Sequence, residues 1–110
     1  MPRDALGEFE KIVMLAILQL GKGAYGATIL HEIDHRTGRT GSAGAIYVAL
    51  SRLEKKRMVS SEFGEPSPER GGRPKRYFRV EAEGMKALRR SQETWEAMSA
   101  GLDWLAEPEG

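Results

Sequence analysis

Residues 66–78 read PSPERGGRPKRYF, and this stretch decides how the rest of the chain is read. Between Arg70 and Arg79 five side chains are basic (Arg70, Arg73, Lys75, Arg76 and Arg79), and no acid follows Glu69 until Glu81. A solvated loop needs polar residues, but mixed charge would serve it equally well. A run of one sign points at a negative partner. Gly71 and Gly72 allow a sharp reversal, while Pro66, Pro68 and Pro74 stiffen the arms and lower the entropy lost on docking. On the flanks, Met58–Phe63 alternates in part and Arg76–Val80 is a short run rich in β-formers. The segment is therefore expected to be a β-hairpin with a long basic tip.

Upstream the pattern becomes helical. Ser42 is placed to cap a helix running to about Lys56, with Ile46, Leu50 and Leu53 as its core stripe. Gly44, Val48, Ser51, Arg52 and Lys55 project away from that stripe, with Tyr47 at its border. Tyr25–Thr37 forms the preceding helix, with Ile29 and Ile33 inward and Gly38 placed to end it in a left-handed turn. Two short helices joined by the turn GRTGS, the second exposing small and basic side chains, form a helix-turn-helix pattern. A basic-tipped hairpin directly after it is the wing of a winged helix.

Each candidate residue has a physical reason. Gly44 and Ala45 have almost no side chain, so the helix N-terminus can approach a phosphate or a base edge, and the helix dipole favours that anion. Ser42, Tyr47, Ser51, Arg52 and Lys55 complete the candidate DNA-facing set on this helix. Arg70, Arg73, Lys75 and Arg76 form the candidate set on the wing, facing phosphates or a minor groove. Tyr47 has two readings, a hydroxyl donor to phosphate or a half-buried aromatic capping the core. Lys56 and Arg57 are read as solvated charges that complement the helix dipole.

Leu6–Leu20 is helical, with Phe9, Ile12, Val13, Ala16 and Leu20 on one face and Met14, Leu15 and Leu18 on the other. A helix apolar on both sides must be covered twice, and in a chain of 110 residues the second cover is read as another subunit. A last helix is predicted from Glu83 to about Leu105. There Leu88, Trp95 and Leu102 recur every seven residues, as do Ser91, Met98 and Leu105, forming an a/d seam. The expected dimer interface is therefore Met14, Leu15, Leu18, Leu88, Trp95, Met98, Leu102 and Leu105. Trp95 carries a second reading, as a flat stacking surface for a small hydrophobic effector between the subunits.

The whole-chain totals fit one domain with a modest core. Net charge is only +1, yet Ser91–Gly110 holds five acids (Glu93, Glu96, Asp103, Glu107 and Glu109) and no Lys or Arg. A basic working surface is thus kept apart from an acidic end. The chain has no cysteine, so neither disulfides nor thiolate chemistry are available, and the cytoplasm is the expected compartment. The apolar run Ile12–Leu18 is too short for a bilayer and follows acids, so neither a membrane span nor a signal peptide is expected. His31 and His35 stand at the i, i+4 spacing of a metal-chelating pair, but no third ligand lies near in sequence and no metal or cofactor is expected. Nucleophile-elbow and phosphate-loop motifs are absent, and the glycines of GKGAYG lack the strand that a nucleotide loop follows. No enzyme is expected.

The pieces FEKIVMLAIL (9–18), AYGATILHEIDHRTGR (24–39), GAIYVALSRLEKKRMV (44–59), GGRPKRYFRV (71–80) and EGMKAL (83–88) resemble the PadR-like transcriptional regulators in order and spacing. The likeness covers roughly Leu6–Leu88, and its specificity lies in the combination of pieces. It implies a dimeric winged-helix DNA binder, usually a repressor, with one C-terminal dimerisation helix as in the compact branch of that family. Two residues depart from the family pattern. Arg57 stands where glycine is usual and resists a left-handed turn, so the helix-to-wing junction is expected to differ. Glu81 stands where threonine is common and is a poorer N-cap. The expected architecture is mainly α with a small β-hairpin, a winged helix-turn-helix over 1–80 followed by a dimerisation helix and acidic tail over 81–110. The expected partners are double-stranded DNA and a second copy of the chain. The alternative is a winged-helix module that docks another protein.

Overall fold

The computed structural model describes residues 6–39, 41–66 and 71–105. The elements run α1 (Glu8–Leu20), α2 (Gly26–Thr37), α3 (Ala43–Lys55), β1 (Val59–Pro66), β2 (Pro74–Val80) and α4 (Ala82–Ser99). Short 3₁₀ turns follow α1 at Gly21–Gly23 and α4 at Asp103–Leu105. This is the expected mainly α fold with one hairpin. No described helix is long and apolar enough to cross a membrane.

Helices α1, α2 and α3 pack around Val13, Met14, Ile29, Ile46, Leu50 and Leu53, and the hairpin closes this core with Val59 and Phe78. Ile46, Leu50 and Leu53 point inward as their spacing predicts. α1 is rotated from its expected setting. Its buried stripe is Glu10, Val13, Met14, Ala16 and Ile17, with Phe9, Ile12 and Leu20 only partly covered. Met14, expected at a subunit interface, is instead fully buried within the chain. The cause is Gly84 on α4: a Cβ there would lie 3.1 Å from Met14 Sδ and 2.8 Å from Val80 Cγ1. The missing side chain lets α4 cross directly over Met14.

Glu10 is the one buried charged side chain among the described residues. Its Oε1 accepts the Gly7 N–H at 2.8 Å, which caps α1, and both carboxylate oxygens accept from Lys56 Nζ at 2.9 Å. Lys56 is therefore not a solvated helix-end charge. It ties the end of α3 to the start of α1.

The junction between α3 and β1 keeps the left-handed turn that arginine was expected to resist. Arg57 has φ 61°, the only positive φ at a non-glycine position among the described residues. The Arg57 N–H donates to Glu54 O at 3.0 Å and the Met58 N–H to Leu53 O at 2.9 Å. This pair of bonds is the Schellman closure of a helix end, and the hydrogen bonds together with burial of Met58 hold the turn.

β1 and β2 pair antiparallel, with Val59 opposite Val80, Ser61 opposite Phe78 and Phe63 opposite Arg76. The register slips between Phe63 and Pro66, as in a bulge. The far edge of β2 is also paired: Phe78 N–H donates to Ala24 O at 2.8 Å, and Tyr25 bridges Tyr77. The start of α2 thus anchors the wing.

Only Gly84 and Ala87 of α4 are buried. The helix ends at Ser99, short of the predicted Leu105, because Gly101 adopts φ 84°. Leu102 and Leu105 lie beyond this turn, so the expected continuous heptad seam does not form. The radius of gyration is 16.0 Å, against about 13 Å for a compact chain of this length. The excess, together with the exposure of α4 beyond Ser91, describes an arm leaving the body.

Candidate nucleic-acid interface

Ser42 starts α3 as expected: its Oγ accepts the Ala45 N–H at 3.1 Å. With the core stripe turned inward, Gly44, Ala45, Tyr47, Val48, Ser51, Arg52 and Lys55 are all exposed. They form one continuous outer face. Arg52 lies at its α1 edge, in a shallow groove with Glu8, Phe9 and Val48. Ser51 and Lys55 run along its middle, and Tyr47 lies at its α2 edge.

Tyr47 is half-exposed, with its ring laid on Gly26 at the start of α2. The hydroxyl end of the ring is the part that lies against Gly26, which is the packing role expected of this residue, while half of its surface still faces water.

The wing's cations are not alike. Arg70 lies outside the described residues. The Arg73 side chain is exposed and makes no hydrogen bond or ion pair among the described residues, and the same holds for the side chains of Arg52 and Lys55. Lys75 Nζ sits 3.3 Å from the Tyr25 hydroxyl and 4.5 Å above the centre of that ring. Tyr25 in turn meets Tyr77 edge-on, with centroids 5.5 Å apart. Sequence reasoning missed Tyr25 as part of this site. The partly alternating run of Lys75, Tyr77 and Arg79 was the available signal, because it places those side chains on one face.

Arg76, expected to face phosphate or a minor groove, is exposed but carries an acid partner within the chain. Its Nη2 lies 2.7 Å from Glu54 Oε1 and its Nε donates to Ser61 Oγ at 2.9 Å, while Ser61 Oγ donates to Glu54 Oε2 at 3.1 Å. This closed triangle fastens the wing to the last turn of α3. Arg79 is balanced likewise by Glu81 at 3.0 Å. Glu81 makes no side-chain cap at the start of α4; its carboxylate instead accepts from Ser60 Oγ and Arg79 Nε. The hydrogen bond from Ser60, then that from Arg79, hold the Glu81 carboxyl below the usual range, with slight desolvation opposing them.

The other predicted surface is divided. Leu15 and Leu18 of α1 are exposed, whereas Leu88 packs partly against the core. Trp95 and Met98 stand on the arm at 62% and 77% exposure, and Leu102, Trp104 and Leu105 are exposed beyond it. Trp104, at 64%, belongs to this apolar surface and was missed because the heptad count passes over it. A groove of about 620 Å³ lies between the end of α1 and the hairpin, lined in part by Leu18, Lys22, Tyr77 and Arg79. Trp95 does not line it. His31 and His35 stack in parallel with centroids 6.1 Å apart, and no cluster of three ligand-type side chains occurs among the described residues.

Comparison with known proteins agrees with this fold. The profile of the transcriptional regulator PadR-like family matches residues 14–90, more than half of the chain. A PadR-like transcriptional regulator from Bacillus cereus superposes with a TM-score of 0.70 at 21% identity, covering 92% of this chain and 93% of that one. A PadR family regulator from Eggerthella lenta gives 0.66 at 29% identity over 93% and 88% of the two chains. An uncharacterised protein of Lysinibacillus sphaericus is 29% identical over 103 residues, 92% of this chain and 90% of that protein.

Proposed function

We propose that this chain, which belongs to the PadR-like family of transcriptional regulators, represses transcription as a homodimer on a pseudo-palindromic DNA site. The observation that carries the reading is the uncovered outer face of α3, set beside a wing whose Arg73 side chain has no partner among the described residues. α3 enters a major groove with Ser42, Gly44 and Ala45 leading, so that backbone N–H groups approach phosphate. Tyr47 and Ser51 read or register the bases, and Arg52 and Lys55 clamp the backbone. Arg73 and Lys75, the latter with the Tyr25 hydroxyl beside it, bind phosphates flanking the groove.

Two copies are held by apolar surface that one copy leaves in water. Leu15 and Leu18 on α1 and Trp95, Met98, Leu102 and Leu105 on and after α4 form the interface, with the winged helix over 1–80 and the dimerising segment over 81–110. A small planar hydrophobic effector stacking on Trp95 between the copies changes the spacing of the two α3 helices and releases DNA. The test is selection of bound duplexes from a random pool, followed by affinity measurements over a salt series. Recovery of two half-sites about one helical turn apart with a steep salt slope is the expected result. Binding to a protein partner without salt dependence would overturn it in favour of a winged-helix docking module.

A further inference from the structure

Phe63 is 68% exposed, an apolar ring in water on a strand of a charged hairpin. Side chains alternate along β1, so positions 59, 61 and 63 share one face, opposite Val80, Phe78 and Arg76. Val59 and Phe78 are buried at the base of that face. Farther out the strand passes beyond the helices, and Phe63 is left uncovered. Its cross-strand neighbour does not cover it either. Arg76 is drawn to Glu54 and Ser61, and its guanidinium carbon lies 5.2 Å from the centre of the Phe78 ring.

That network also fixes the direction in which the face looks. Glu54 is in the last turn of α3, three residues from Ser51 and next to Lys55. The side of the wing that carries Phe63 is therefore the side that meets the outer rim of α3, with Arg73 exposed at the wing tip just before β2.

We infer that Phe63 is an apolar contact to DNA, its ring lying against the deoxyribose carbons of the strand that runs between α3 and the wing. The inference rests on the DNA-binding reading above. Such a contact buries apolar surface without displacing a counterion, and its fit varies with groove width, so it adds affinity and reads shape.

The experiment compares Phe63→Ala, Phe63→Leu and Arg73→Ala by fluorescence anisotropy, on a duplex selected by the wild-type protein, over a salt series. Phe63→Ala is expected to weaken binding about tenfold, the effect of losing roughly half the burial of a phenyl ring. The loss should be equal at every salt concentration, and Phe63→Leu should recover part of it. Arg73→Ala is expected instead to flatten the slope of log K against log salt by about one unit. Wild-type affinity in Phe63→Ala overturns the inference while leaving the DNA-binding reading intact. Failure of the wild type to bind any selected duplex overturns the reading itself. A Phe63→Ala protein that sediments as a smaller species assigns the ring to a contact between copies, and that too overturns the inference.

Discussion

The ring of Tyr47 rests on the backbone of Gly26: a Cβ built on Gly26 would lie 2.8 Å from Tyr47 Cζ, closer than real contacts allow. α3 and the start of α2 are thus keyed together by the absence of one methyl group. Because Tyr47 is half-exposed, it can swing outward rather than force the backbone apart. Gly26→Ala is expected to cost about 1 kcal/mol of stability or less but to displace the ring from the face of α3. DNA affinity should therefore fall by more than the shift in chemical denaturation implies. A variant that binds as well as wild type would mean that the orientation of Tyr47 is irrelevant to DNA.

The Glu10–Lys56 pair, with side-chain exposures of 10% and 21%, joins the first and third helices. Removing only the lysine leaves a carboxylate in the core that also caps α1 through the Gly7 N–H. Lys56→Met is expected to destabilise by about 2–3 kcal/mol, and the double variant Lys56→Met, Glu10→Gln by less than the lysine change alone. Urea denaturation of the three proteins checks the order.

Arg57 occupies a backbone conformation that glycine adopts without strain. Its turn is closed by two main-chain hydrogen bonds that do not depend on the side chain. Arg57→Gly is therefore expected to stabilise the fold by about 1 kcal/mol, or about 4 °C in melting temperature. A lower melting temperature would show that the arginine side chain makes a stabilising contribution greater than the strain.

Much of this architecture was legible because it is written in local pattern. The Ile46–Leu50–Leu53 stripe, the Ser42 cap and the glycine-proline tip each depend on neighbours within a few residues. What was misread depends on distant partners. Nothing within α1 indicates that Gly84 will cover Met14, or that Lys56 will reach Glu10. Arg76 looked like one more wing cation because Glu54 lies 22 residues away in sequence. The heptad count through Trp95 carried on past Gly101, a local signal that was available and outweighed by the repeat. Arg57 shows the converse, where burial and hydrogen bonding override a residue's own preference.

Glu81 gives a pH dependence of known sign. Its carboxyl is held below the usual range by Ser60 and then Arg79, whereas in the unfolded chain it titrates near about 4.3. A depressed folded value means that the stabilisation is complete above the unfolded value and lost as pH falls through the folded one. Glu81→Gln should melt below wild type at pH 7, and the gap should close as the pH falls through the lowered folded value. A gap independent of pH would assign the difference to geometry instead of charge.

The last prediction concerns the arm. Trp95, Met98 and Trp104 are each more than 60% exposed on or just after α4, and Leu15 and Leu18 are exposed on α1. Single apolar residues on a surface are ordinary, but a run of them along a projecting helix is surface that soluble proteins cover. A two-fold arrangement that sets the arm of one copy on α1 of the other would cover both sets at once, since each copy supplies one arm and one receiving face. Met14 lies in the core and Leu88 packs partly against it, so substitutions there would unfold or loosen the chain and report nothing about pairing. Trp95 and Leu15 are the informative positions. Trp95→Glu and Leu15→Lys should each leave the melting transition cooperative, convert a dimer to a monomer in sedimentation equilibrium, and weaken DNA binding by at least tenfold, because a monomer holds only one half-site. Combining the two substitutions should restore part of the association, since in this arrangement the new charges are opposite and would face each other across the interface. Wild type that sediments as a monomer at micromolar concentration would refute the arrangement.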